Sequence, residues 1–184
     1  FAVVRDTEAE LDARLDALAS LLAVPVSRAQ ATEEAARFLD PYFTLEVQRR
    51  VIGELEATAS REGDLALVAA YPGLSNGARD AIFAALVART GGARALLAAV
   101  EAEDILPGDL GPNRVYRLRN HPDPEVAAGA EALLAPRVDE GAAALEAWIE
   151  GNLGTLLATG DVRAGAEVFQ TNCAVCHSTD LLEG

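Results

Sequence analysis

Three of the four cysteine and histidine residues in this 184-residue chain fall within five positions, Cys173-Ala174-Val175-Cys176-His177. Random placement would put two cysteines three apart with a histidine next door on the order of once in 10⁴ trials, so the spacing calls for a chemical reason. Cys-x-x-Cys-His is the c-type haem attachment signature. Two thiols about one helical turn apart can form thioethers to the two vinyl groups on one porphyrin edge, while the adjacent imidazole reaches under the plane to the iron. On that reading Cys173 and Cys176 hold the cofactor and His177 is the metal ligand on the proximal side. Other chemistries use the same residue types. A redox dithiol wants a strand-to-helix setting, and a helical pattern precedes this pair. A closed zinc site needs a fourth ligand, and His121, the other histidine, is remote in sequence. A structural disulfide between the two cysteines is the remaining alternative.

The segment that must position these residues runs Gly160-Asp161-Val162-Arg163-Ala164-Gly165-Ala166-Glu167-Val168-Phe169-Gln170-Thr171-Asn172-Cys173. Asp161 is placed to cap a helix and complement its dipole, and Gly165 leaves room for another helix to approach closely. Phe169, four residues before Cys173, falls on the same helical face as that cysteine. This stretch resembles the first helix of class I cytochromes c, in which a Gly-Asp opening, an inner glycine, an aromatic and the first haem cysteine recur at these spacings. The resemblance covers the last 25 or so residues and implies a covalently attached haem c. Class I cytochromes also use a distal ligand, usually a Met far downstream, and a closing loop and helix. The chain has no Met and stops seven residues after His177, so the expectation for this segment alone is an exposed iron with a weak or water sixth ligand.

The rest of the chain reads as helix. Alanine dominates, aromatics make up 5%, and no strand-like alternation is present. Leu11, Leu15, Leu18 and Leu22 recur at helical spacing over Glu8 to Val24, ended by Pro25. Further helices are expected from Arg28 to Leu39; from Thr44, an N-cap, with Val47, Val51 and Leu55 on one face; from Asp64 to Ala70; from Ser75 to Thr90, closed by Gly91-Gly92; and from Ala93 to Glu103. Pro107 to Asn113 reads as a loop before a short helix ending near Asn120. Asp123 then caps a helix with Pro124 at its first position, and a last helix from Arg137 to about Leu157 carries Trp148 on an apolar, core-facing stripe. Taken in pairs, the helices start near Glu8, Thr44, Ser75 and Pro112, a period of roughly 31–37 residues suited to helical-hairpin repeats. The pattern resembles HEAT-type repeats, best over Asn120 to Leu134, with an irregular helical bundle as the simpler alternative. The fold class expected is therefore all-α: HEAT-like hairpins, as a right-handed solenoid or bundle, over residues 1–158, then the start of a cytochrome c domain over 159–184.

Charge narrows the partners. All 15 basic residues are arginine against 29 carboxylates, for a net charge of −14. No basic surface for nucleic acid or anionic membrane is expected, and no apolar run is long enough to span a bilayer. Arg49-Arg50 and the Arg114, Arg117, Arg119 group could meet a haem propionate or a partner's carboxylates, or simply be solvated. The acidic runs Glu8 to Glu10 and Glu101 to Asp104 read as solvated faces whose sum could steer a cationic redox partner. His121, before Pro122 in an exposed turn, is not expected to ligate iron. Without an initiator Met or a signal-like opening, the chain reads as a processed piece of something longer. An acidic helical-repeat region followed by a cytochrome start loosely resembles the C-terminal part of PVC-type haem-binding CxxCH proteins. That resemblance implies an upstream dehydrogenase domain or another redox protein as electron partner and a periplasmic or otherwise exported location. Two functions follow: an electron-transfer module, or a repeat scaffold that docks a partner while its incomplete haem segment is inert. An independent hydrolase or transferase site is not expected.

Overall fold

The computed structural model describes residues 1–134, 140–156 and 160–174, and among them the regular structure is helical throughout, with no strand. The chain divides into two compact units, Phe1–Ala135 and Pro136–Gly184.

In the first unit, sequence punctuation sets the helix ends. Pro25 both stops α2 (Leu11–Ala23) and opens α3 (Pro25–Ala36), because its missing N–H costs nothing at a first helical position. The side chains of Thr44, Ser60 and Ser75 accept hydrogen bonds from Val47, Gly63 and Ala78 N–H, capping α4 (Leu45–Ala57), α5 (Arg61–Ala70) and α6 (Asn76–Val87). A short α1 (Ala2–Arg5) precedes them, and α7 (Thr90–Glu101), α8 (Pro107–Arg119) and α9 (Pro124–Leu134) follow.

Helices adjacent in sequence pack on one another, α2 on α3, α4 on α5, α6 on α7 and α8 on α9. Successive pairs stack through α2, α4 and α6 on one side and through α3, α5, α7 and α9 on the other. The apolar stripes meet between the two rows, where Leu18, Leu22, Leu55, Leu67, Ile82, Phe83, Leu86 and Leu96 are fully buried. Alanines at 31, 35, 78, 93 and 130 are buried as well, and their small side chains let the helices come close.

Arginine staples tie neighbouring helices together. Arg50 on α4 pairs with Asp16 on α2, and Arg114 on α8 with Asp80 on α6; each pair spans 34 residues. Arg94 on α7 reaches Glu125 on α9. The Arg50–Asp16 and Arg114–Asp80 pairs thus share one sequence step, each between helices two apart in the chain.

Several boundaries differ from the sequence reading. Gly91-Gly92 does not close α6; both lie in the first turn of α7. A Cβ at position 92 would come within 2.9 Å of Leu86 Cα and closer still to its carbonyl oxygen, so the tight α6–α7 connection requires glycine there. Pro107 to Asn113 is largely helical rather than a loop: α8 starts at Pro107, breaks at Gly111 (φ 70°, ψ 166°) and restarts through Pro112. Only glycine adopts that backbone readily. The helix expected over Arg28 to Leu39 begins at Pro25 and ends at Ala36, since proline opens a helix as readily as it closes one.

Asp123 caps α9 as expected, accepting from Glu125 N–H at 2.9 Å and Val126 N–H at 3.2 Å. The Val126 N–H bond chiefly holds its pKa below the ordinary carboxylate value of 3.8. A lowered pKa means the ionised cap's contribution to stability is complete above the ordinary value and is lost as pH falls through the lower folded value. Asp123→Ala is therefore expected to lower the urea midpoint at pH 6 and to lower it less at pH 3. Asp123→Asn, which keeps an acceptor oxygen, should retain more stability at pH 6 than alanine does. Equal losses for alanine at both pH values would exclude the ionised cap.

Candidate functional site

The second unit holds α10 (Glu140–Leu156) and α11 (Val162–Asn172). Asp161 accepts hydrogen bonds from Arg163 N–H at 2.9 Å and Ala164 N–H at 3.1 Å, so the residue expected to cap this helix does so. α11 is amphipathic by its spacing. Ala166, Phe169 and Cys173 are half-buried and fall at three- and four-residue intervals on one face, while Glu167 and Gln170 between them are exposed. Cys173 is the C-cap, its N–H donating to Phe169 C=O at 2.8 Å, which places ring and thiol one turn apart along that face. A Cβ at Gly165 would meet nothing within 4 Å, so its surface is open to a helix that approaches from outside.

Cys173 forms no disulfide with a described residue. Cys176 and His177 lie outside the described residues, as does Val175 before them. Among the described residues no group of three or more His, Cys, Asp or Glu side chains converges as a metal site. The donor set is chemically suited to covalent haem: a half-buried thiol at a helix end, a second thiol three residues on, and an imidazole beside it.

The other singled-out residues sort differently. His121 is half-buried, with Nε2 3.2 Å from Val87 C=O and Nδ1 accepting from Asp123 N–H at 3.1 Å. Both ring nitrogens serve the α6–α9 region, and neither is free for iron. Arg49 is exposed, whereas Arg50 and Arg114 are engaged within the chain: Arg50 bonds Asp12 and Asp16, while Arg114 bonds Asp80 and the Asp109 and Leu110 carbonyls. Arg117 lies 5.0 Å from the Phe83 ring centroid, and Arg119 pairs with Glu131. The carboxylates of the two acidic runs, Glu8, Glu10, Glu101, Glu103 and Asp104, are exposed, as expected. Trp148 was expected in the core and is instead 57% exposed, along with Leu145, Ile149 and Leu153 on the same stripe of α10. An apolar stripe in sequence requires a partner surface but does not supply one. No helix among the described residues is long and apolar enough to cross a membrane.

One feature escaped the sequence reading. Between α5 and α7 a groove of about 430 Å³ is lined by Arg61, Arg89 and Arg94 around an apolar floor that includes Leu65 and Ala98. Arg89 pairs with the buried Asp64. The three arginines are 28 and 5 residues apart, and only helix packing brings them together.

Comparison with known proteins adds no relative: no family model, curated protein or solved structure matches this chain.

Proposed function

We propose that this chain is an electron-transfer module in which a HEAT-like helical-repeat scaffold accompanies a covalently attached c-type haem. The observation that carries the reading is the Cys173-x-x-Cys176-His177 spacing directly after α11, whose half-buried face carries Phe169 and Cys173. When bound, the haem would supply a one-electron iron couple. The chain's own residues supply the rest. Cys173 and Cys176 tether the porphyrin edge, and His177 offers its imidazole to the iron. Asp161 fixes the start of α11, so that Phe169 and Cys173 are held on one face. Phe169 contributes apolar surface beside the attachment point and excludes water from it. The acidic surface favours a cationic redox partner, and an exported compartment is where such attachment would take place.

The test is expression of the chain behind an export signal in a host with cytochrome c maturation machinery, followed by denaturing electrophoresis and haem staining. A haem-stained band at the chain's mass is the expected result. A chain that is exported and folded but unstained overturns the reading.

A further inference from the structure

The groove between α5 and α7 reverses the charge balance of the chain. Its lining carries three arginines and one carboxylate, Asp64, in a protein with almost two acidic residues for every basic one. Two other grooves of this unit each have one arginine and one carboxylate in their lining, Arg28 and Glu54 in one, Arg114 and Asp80 in the other. Not all the positive charge in the α5–α7 groove is spent internally. Arg89 is committed to Asp64, yet its Nε is buried without a hydrogen-bond partner. Arg94 is held by Glu125, which is 76% exposed and can swing away into water, and lies 4.0 Å from Asp123, a longer and weaker contact. Arg61 makes no ion pair with a described residue. Beneath these cations the floor is apolar, and Leu65 is 48% exposed on it. Guanidinium groups recognise carboxylates in two-point fashion, and a concave, mainly apolar site of this size matches a small organic molecule.

From this we infer that the groove binds a small aliphatic carboxylate, its carboxylate held by Arg61 and Arg94 and its alkyl chain lying on Leu65, Ala95 and Ala98. The site belongs to the first unit and stands apart from the haem reading. Titration of the full chain with hexanoate, followed by amide NMR, is expected to shift the resonances of Leu65, Gly91 and Ala98 with a dissociation constant on the order of a millimolar. Hexan-1-ol, which lacks the charge, and acetate, which lacks the chain, should each bind at least about fivefold more weakly. Arg61→Gln is expected to weaken hexanoate by about fivefold, and Leu65→Asp to remove detectable binding. Both residues are exposed, so both variants should keep the wild-type circular dichroism and melting temperature. The inference is overturned if hexan-1-ol or acetate matches hexanoate, or if the two folded variants bind as the wild type does.

Discussion

Replacing both Cys173 and Cys176 with serine is expected to take covalent haem from one per chain to none in a maturation-competent host, with export and folding of the first unit unchanged. The size of the effect follows from the bond type. A thioether survives denaturation, so a chain with even one remaining cysteine keeps its porphyrin through electrophoresis, and one with neither loses it completely. The single variants separate haem from the other chemistries those residues could perform. With Cys173→Ser or Cys176→Ser alone, one vinyl group stays unsaturated and conjugated to the ring, so the reduced absorption bands should move to longer wavelength. His177→Ala leaves both thioethers possible but removes the nitrogen ligand, so its spectrum should change without loss of staining from attached chains. A disulfide or zinc site would respond in another way, since either single serine would destroy it and no visible spectrum would exist to shift. A stained band that persists in the double serine variant would exclude thioether attachment.

The Cys173-x-x-Cys176-His177 spacing is visible in the sequence because it is local. Two thiols and an imidazole in five residues need no tertiary structure to be noticed, and the cap at Asp161 and the shared face of Phe169 and Cys173 follow from helical periodicity alone. The first unit was legible to the same depth. Thr44, Ser75, Asp123 and Pro124 mark helix starts because a cap satisfies N–H groups within three residues of itself. What sequence could not supply was whatever depends on two distant segments meeting. Gly91-Gly92 looks like a helix end, yet its role is set by Leu86 backbone atoms pressing on position 92. Arg50, Arg114 and Arg119 look like solvated charges until Asp16, Asp80 and Glu131 appear opposite them. Their exposed carboxylate partners make each staple a modest contribution, so they set which helices align more than how strongly they adhere. Trp148 shows the same limit from the other side, since a stripe that looks like core becomes core only if a second surface covers it. The arginine groove was invisible for a related reason: Arg61 and Arg94 are ordinary helix-surface residues until α5 and α7 lie side by side.

Tyr71→Ala is expected to cost the first unit about 3–5 kcal/mol, the range for deleting a large buried aromatic side chain. Tyr71 is 0% exposed and opens the 3₁₀ turn Tyr71–Gly73 that joins α5 to α6. Its ring lies 5.6 Å from the Arg79 guanidinium and 6.0 Å from that of Arg114, and its hydroxyl donates to Asp109 C=O at 3.4 Å. Arg79 also donates from Nε to Tyr71 C=O at 3.1 Å. Alanine would leave a cavity between α5, α6 and the start of α8 and strip two cations of the ring they lie against, in a fold whose whole stability is on the order of 5–15 kcal/mol. Tyr71→Phe separates the ring from its hydroxyl. It keeps the packing and both cation contacts and loses one long hydrogen bond, so it should cost no more than about 1 kcal/mol. Phenylalanine also probes charge. Burial raises the Tyr71 pKa above the ordinary 10.0, with Arg114 and then Arg79 pulling the other way. A raised pKa means that the neutral phenol stabilises the fold below pH 10.0 and that this contribution is lost as pH rises through the folded value. Urea denaturation followed by circular dichroism should therefore show the Tyr71→Phe deficit at pH 7 shrinking or reversing by pH 11, while the alanine variant stays far less stable at both. An alanine variant within about 1 kcal/mol of wild type at pH 7 would mean that the turn closes around the lost ring, and that Tyr71 does not hold α5, α6 and α8 together.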